Sequence, residues 1–288
     1  MKQQSERFAW LLVLPTFAVM LVILALPLLF SLYLSFNKWD LTVVPSRIEW
    51  IGLTNYLRVL RDSETWRAIQ FTFLYTVASV AGSFVIGLVL ALLLNRAPVG
   101  RGLFAAILTL PMMMTPIVSG LVWRLLYNPT FGDINHIFGL GNLSWLGEIH
   151  LARIAVIVTT IWQSTPFIMI LLLAGLQSLP EEPFEAALID GASRWQSLRY
   201  VTLPLLMPTM MVALLIRTIF EFRAFDVIWI LTTGGPAGST ETLSLLNFRI
   251  SFRHFAVGEG AALSWIMLVI TALISFGYIY FLYRARPE

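Results

Sequence analysis

Long apolar runs separated by short polar breaks constrain this chain more than any other feature of its sequence. The runs extend over about 8–36, 68–94, 103–127, 151–176, 205–231 and 260–283. A helix rises about 1.5 Å per residue, so each run exceeds the ~20 residues that cross a ~30 Å hydrocarbon core. The expected fold is therefore all-α, with six transmembrane helices forming a single membrane domain over residues 1–288. Composition agrees. Charged residues are 12% of 288, against about a quarter in soluble domains, which leaves little for a separate water-soluble core. A soluble enzyme is excluded on that ground. So is a nucleic-acid-binding module, because a net charge of +3 over 288 residues makes no basic patch. The absence of cysteine removes disulfide scaffolds, thiolate metal sites and a cysteine nucleophile.

Lys2 and Arg7 before the first run give a signal peptide as the competing reading. The run is longer than a signal core and no small-x-small cleavage site precedes "NKWD", so an uncleaved span is expected. Orientation follows from Lys and Arg in the loops. With the N-terminus in the cytoplasm, the inner side holds Lys2, Arg7, Arg96, Arg101, Arg194, Arg199, Arg284 and Arg286. The outer side holds Lys38, Arg47, Arg58, Arg61, Arg67, Arg249 and Arg253, most of them in the long segment 37–67, where charge has little bearing on topology. The compact loop "NRAPVGRG" and the tail "YRARPE" favour both termini inside. The segment "GLTNYLRVLRDSETWRAI" places Leu53, Tyr56, Leu57, Leu60 and Trp66 at helical spacing among charged residues. It reads as an amphipathic helix at the outer surface, or as a solvated loop with incidental periodicity.

Chemistry is scarce. His136, His150 and His254 lie far apart in predicted outer loops, and there is no HExxH, GxSxG or GxxxxGK[ST]. The chain has no P-loop of its own for hydrolysing ATP, and no enzymatic activity is expected of it. An ion gradient or another subunit must supply the energy. Charge within the runs concentrates in the fifth, at Arg217, Glu221, Arg223 and Asp226. Arg217 and Glu221 stand four apart, Arg223 and Asp226 three apart, so each set shares a helix face and can pair. Structural pairs within a bundle and a polar lining for a translocation path remain alternatives. Met112, Met113 and Met114 between Pro111 and Pro116 suit an adaptable apolar gate; core packing explains them equally well.

The polar break at about 179–204 is more organised than a linker. Pro180 and Pro183 suit a helix start, and Glu181, Glu182 and Glu185 suit its first turn. Gly191 ends the helix by a left-handed turn, and a second helix begins near Ser193. A helix this short needs a partner to pack on. Its string resembles the EAA signature of ATP-binding-cassette (ABC) importer permeases: EAA, three residues, Gly, nine residues, a branched residue, one more, then Leu-Pro. Glu185, Ala186, Ala187, Gly191, Val201, Leu203 and Pro204 hold those places, with Val201 where Ile is usual. "GLTNY", "FDVIWILTTGGP" and "GEGAALSW" extend the resemblance to carbohydrate-type permeases. Phe225, Asp226 and Gly234-Gly235-Pro236 look like the subunit that carries the substrate site in maltose systems, here without that protein's extra outer domain.

The resemblance implies the type I ABC importer permease fold in a bacterial inner membrane, surrounded by lipid. It implies a second six-span permease, two ATPase subunits that bind Mg-ATP, so that this chain holds no cofactor, and a periplasmic or lipid-anchored solute-binding protein. Glu185, Ala186, Ala187, Asp190, Gly191, Ala192, Leu203 and Pro204 would form the cytoplasmic coupling element seated on an ATPase subunit. For a sugar, held by hydrogen bonds and aromatic stacking, the candidates are Glu221, Phe222, Arg223, Phe225 and Asp226, with Trp162, Gln163 and Ser164. The stretch "RTIFEFRAFD" leans toward a trehalose- or maltose-like disaccharide. The rival reading is an ion-coupled secondary carrier or half-carrier for a polar solute.

Overall fold

The computed structural model describes residues 2–42, 47–96 and 100–284. Residues 97–99 of the "NRAPVGRG" loop and Arg286 of the tail, on which the expected orientation partly rests, lie outside the described residues. Helix α1 (Lys2–Ser35) leads into a short antiparallel ladder, β1 (Asn37–Lys38) with β2 (Glu49–Trp50). There follow α2 (Thr54–Arg61), α3 (Ser63–Arg96), α4 (Arg101–Met113), α5 (Pro116–Leu126), α6 (Asp133–Phe138) and α7 (Ile149–Gln177). Next come α8 (Glu182–Ile189) and α9 (Arg194–Ser197), a π-helical turn (Leu198–Thr202), then α10 (Leu203–Phe222) and α11 (Asp226–Leu231). The chain closes with α12 (Leu243–Phe248), a second π turn (Arg249–Arg253) and α13 (Val257–Arg284).

Among the described residues five helical stretches are long and apolar enough to cross a membrane, and a sixth if α4 and α5 count as one bent span. Two of the expected runs are interrupted. The third run breaks between α4 and α5, which are bent by 94°. Pro116 disfavours helical geometry at the residue before it, and Thr115 is extended (ψ 149°) while its hydroxyl caps α5 by accepting from Val118 N–H. The fifth run ends at Phe222 and resumes at Asp226 without any Gly or Pro in between. There the freed Ala224 carbonyl accepts a hydrogen bond from Thr242 Oγ1, 3.2 Å away.

The chain divides into two compact units, Met1–Thr65 with Leu246–Val269, and Trp66–Leu245 with Ile270–Glu288. In the first, the amphipathic segment is helical, with its leucines turned outward. Leu53, Leu57 and Leu60 are exposed, while Asn55 and Val59 are buried. The Asn55 carboxamide donates to the carbonyls of Ser35 (3.0 Å) and Asn37 (2.8 Å). Two backbone acceptors at one buried amide decide which face turns inward, because an unpaired buried carbonyl is costly. Gly258 completes this contact: an added Cβ there would lie 2.1 Å from the Asn37 carbonyl oxygen. Ion pairs Arg58–Glu259 (2.8 Å) and Arg249–Glu64 (2.6 Å) flank it.

The second unit has two apolar clusters. One gathers Phe71, Tyr75, Tyr127, Val156 and Ile228, the other Ala91, Ile168, Met169, Leu172 and Leu206. Small residues let its helices approach. An added Cβ at Gly87 of α3 would meet Ile168 at 2.9 Å, and one at Gly120 of α5 would meet Ile230 at 3.0 Å.

The loop 179–204 is ordered by local rules. Gly191 adopts φ +71°, Ala192 N–H reaches back to Ala187 O (2.9 Å) and Gly191 N–H to Leu188 O (3.1 Å). These two bonds form a Schellman motif, in which the glycine takes the left-handed position that other residues resist. Ser193 and Gln196 then cap α9 reciprocally as a capping box. Leu188 and Ile189 remain 78% and 86% exposed.

Candidate functional site

A cavity of about 600 Å³ opens inside the second unit, where α3, α7, α10 and both helix breaks converge. Gln163, Ser164, Glu221, Arg223, Phe225 and Asp226, all named from the sequence, line it. Phe222 and Trp162 do not. Phe222 is buried edge-on against Phe73, and Trp162 packs edge-on against Trp123. Each sits one residue from a lining position, and about 100° of helical rotation per residue turns it out of the wall. Met112 and Met114 line the rim, whereas Met113 is 75% exposed.

The charged pair four residues apart is present, and its surroundings exceed what spacing implied. Glu221 is 4% exposed. Its Oε1 accepts from Ser164 Oγ of α7 (2.8 Å) and from the Arg217 guanidinium, which also contacts Ser164. Its Oε2 accepts from Tyr75 Oη of α3 (3.0 Å). Tyr75 Oη lies 2.9 Å from Thr160 Oγ1; since the tyrosine proton is committed to a carboxylate that only accepts, Thr160 is the donor. The Arg217 guanidinium carbon also stands 5.8 Å from the centre of the Phe167 ring. Three donors from three helices thus converge on one buried carboxyl group. Tyr75 and Thr160 were not identified from the sequence, because a lone Tyr or Thr in an apolar run carries no periodic signal.

Arg223 and Asp226 differ. Spacing suggested a pair, but the helix stops at Phe222 and Asp226 opens a new one, so they do not share a helical face. Among the described residues no ion pair joins them, and both line the cavity. Phe225 beside them stacks on Trp229 at 5.7 Å with the rings 13° apart. The wall thus holds one ionic network, in which Arg217 Nε is buried without a hydrogen-bond partner among the described residues, an arginine and an aspartate outside that network, the Gln163 carboxamide and an aromatic face. Such a wall offers hydrogen-bond donors, acceptors and an aromatic face. Among the described residues no group of three or more His, Asp or Glu could hold a metal ion.

The family model described as binding-protein-dependent transport system inner membrane component matches residues 5–286. The chain belongs to that family. As a member it is a multi-span inner-membrane permease. It is 42% identical to the probable ABC transporter permease protein y4oQ of Sinorhizobium fredii, over 94% of this chain and 88% of the relative. It is 38% identical to the trehalose/maltose transport system permease protein MalF of Thermococcus litoralis, over 97% of this chain and 94% of the relative. In structure it is similar to a chain in the crystal structure of a bacterial ABC transporter involved in the import of alginate. That likeness has a TM-score of 0.84 at 24% identity and covers 98% of this chain and 96% of the other.

Proposed function

We propose that this permease forms, with a second six-span permease, the path of an ATP-driven sugar importer, and that its 600 Å³ cavity receives the sugar. The carrying observation is the division of the cavity wall. Glu221 is saturated by Arg217, Ser164 and Tyr75, whereas Arg223, Asp226 and Gln163 face the cavity beside the Phe225 ring. Opposite charges and a carboxamide pair with neutral hydroxyls in either sense, and an aromatic face suits a sugar ring. The name of the Thermococcus litoralis relative supports a trehalose- or maltose-like disaccharide.

Energy enters through the loop 179–204. Glu185, Ala186, Ala187, Asp190, Gly191, Ala192, Leu203 and Pro204 form the coupling element on one of two ATPase subunits that bind Mg-ATP. The exposed Leu188 and Ile189 side chains support this, because a two-turn helix bearing bare apolar residues requires a covering partner. Both chain termini then face the cytoplasm, and an extracytoplasmic binding protein delivers the sugar from the other side.

The test is uptake of labelled trehalose and maltose into proteoliposomes. Vesicles with both permeases, ATPase and binding protein are expected to accumulate one of them only with ATP. Glu185→Ala is expected to insert normally and lose sugar-stimulated ATP hydrolysis. Accumulation by this chain alone, driven by an ion gradient, would overturn the reading.

A further inference from the structure

The break in the third apolar run frees backbone acceptors from the helical ladder, and a cavity residue supplies the partner of one of them. In a continuous helix the Met114 carbonyl would receive the Val118 amide. Here Val118 N–H goes to Thr115 Oγ1 (3.4 Å) and Ser119 N–H to the Thr115 carbonyl (3.0 Å). Met114 O therefore lies outside both helical ladders. Its donor is Gln163 Nε2 of α7, at 3.3 Å. Among the described residues this is the one hydrogen bond of that side chain.

Gln163 is thus placed in two roles at once. Its carboxamide is part of the cavity wall, one residue from Ser164 and the Glu221 network, and it also holds the elbow between α4 and α5. Met112 near the end of α4 and Met114 at its C-cap line the neighbouring wall. A neutral carboxamide has two N–H donors and a carbonyl acceptor. One donor is committed to Met114 O, so a hydroxyl pair arriving in the cavity finds the remaining N–H and the oxygen. Engaging both reorients the amide plane and weakens the bond to Met114 O.

We propose that Gln163 is a positioning residue that reports cavity occupancy to the broken third span. Sugar bound at its carboxamide loosens the Met114 carbonyl and lets the α4–α5 elbow change angle. The proposal rests on the reading that this cavity holds the transported sugar. The role is distinct from that of a plain sugar ligand, which would alter affinity and leave the elbow unresponsive.

The chain has no cysteine, so Met113→Cys creates a single thiol. Met113 is at the elbow, outside the cavity wall and highly exposed. The assembled transporter, labelled there with an environment-sensitive bimane, would be titrated with maltose and with trehalose in the presence of its binding protein. In the Gln163 background the emission is expected to shift in a saturable way. In Gln163→Leu and Gln163→Glu, neither of which can donate to Met114 O, the shift is expected to vanish even at saturating sugar. The population of the moved elbow should change about three- to tenfold, the amount one hydrogen bond of ordinary net strength supports. Gln163→Glu keeps an acceptor for sugar hydroxyls, so uptake at high sugar persists at a reduced maximal rate and confirms that this variant is folded.

A sugar-dependent shift that survives in both variants would overturn the proposal. So would the absence of any shift in a transporter that imports the sugar. Failure of the unmodified transporter to import either sugar would instead strike the functional reading on which the proposal stands.

Discussion

Glu221 is held by groups from three helices, and the consequence can be measured residue by residue. Removing Arg217 leaves a carboxylate buried among Ser164 and Tyr75 without a compensating charge. Breaking a buried pair in this way costs about 3–5 kcal/mol, whereas replacing both partners by uncharged groups of similar volume is often neutral. Arg217→Met is therefore expected to lower the thermal unfolding temperature in detergent well below that of the Arg217→Met/Glu221→Gln double variant. Equal loss in the two would show that the network contributes little. The pair itself was legible, since four residues along a helix bring side chains to one face. Its donors were not. Tyr75, 1% exposed, reaches Glu221 from a position far from it in the sequence, and Thr160 donates in turn to the Tyr75 hydroxyl; nothing in local spacing links them.

Among the elements, the loop 179–204 and the two interrupted runs behave oppositely. The loop is built from local rules, so its glycine turn and second helix could be read from Gly191 and Ser193, while the part of Gln196 in the capping box came from the structure. An added Cβ at Gly191 would meet nothing within 4 Å in this chain, so within the chain a substitution there acts on backbone conformation. Asn tolerates the left-handed region, while a β-branched residue is strained there, and the general penalty is about 1–2 kcal/mol. Gly191→Asn is expected to retain sugar-stimulated ATP hydrolysis and Gly191→Val to lose most of it. Equal activity would remove the coupling role of this turn. The break after Phe222 follows another logic. It has no helix breaker in its sequence, and its loose carbonyl is satisfied by Thr242 of a distant segment.

The assembly of remote segments shows which contacts carry weight in the first unit. Arg58 and Glu259 are joined across most of the chain length, but their side chains are 53% and 30% exposed. An exposed pair contributes only about 0–1 kcal/mol. The Gly258 contact is close-packed and buried, and a methyl group there collides with the Asn37 backbone. Overpacking of this kind costs about 1–3 kcal/mol or more. Gly258→Ala is expected to destabilise the protein more than Arg58→Ala, measured by unfolding temperature at equal membrane expression. The reverse order would mean that the ion pair, not the close approach, joins 2–65 to 246–269.

Hydropathy alone marked the membrane-crossing runs, because lipid imposes the same length and the same lack of charge on any such helix. Backbone chemistry likewise marked the Gly191 turn, since it depends on a few adjacent residues, whereas the break at Thr115–Pro116 fell inside a run expected to be continuous. Which face of Thr54–Arg61 turns inward, where the fifth run stops, and which hydroxyls surround Glu221 depended on the fold. Each is settled by a polar atom from elsewhere in the chain that satisfies a buried donor or acceptor. Hydrogen bonds of that kind have no periodicity along the sequence, and only the packed helices bring their partners within reach.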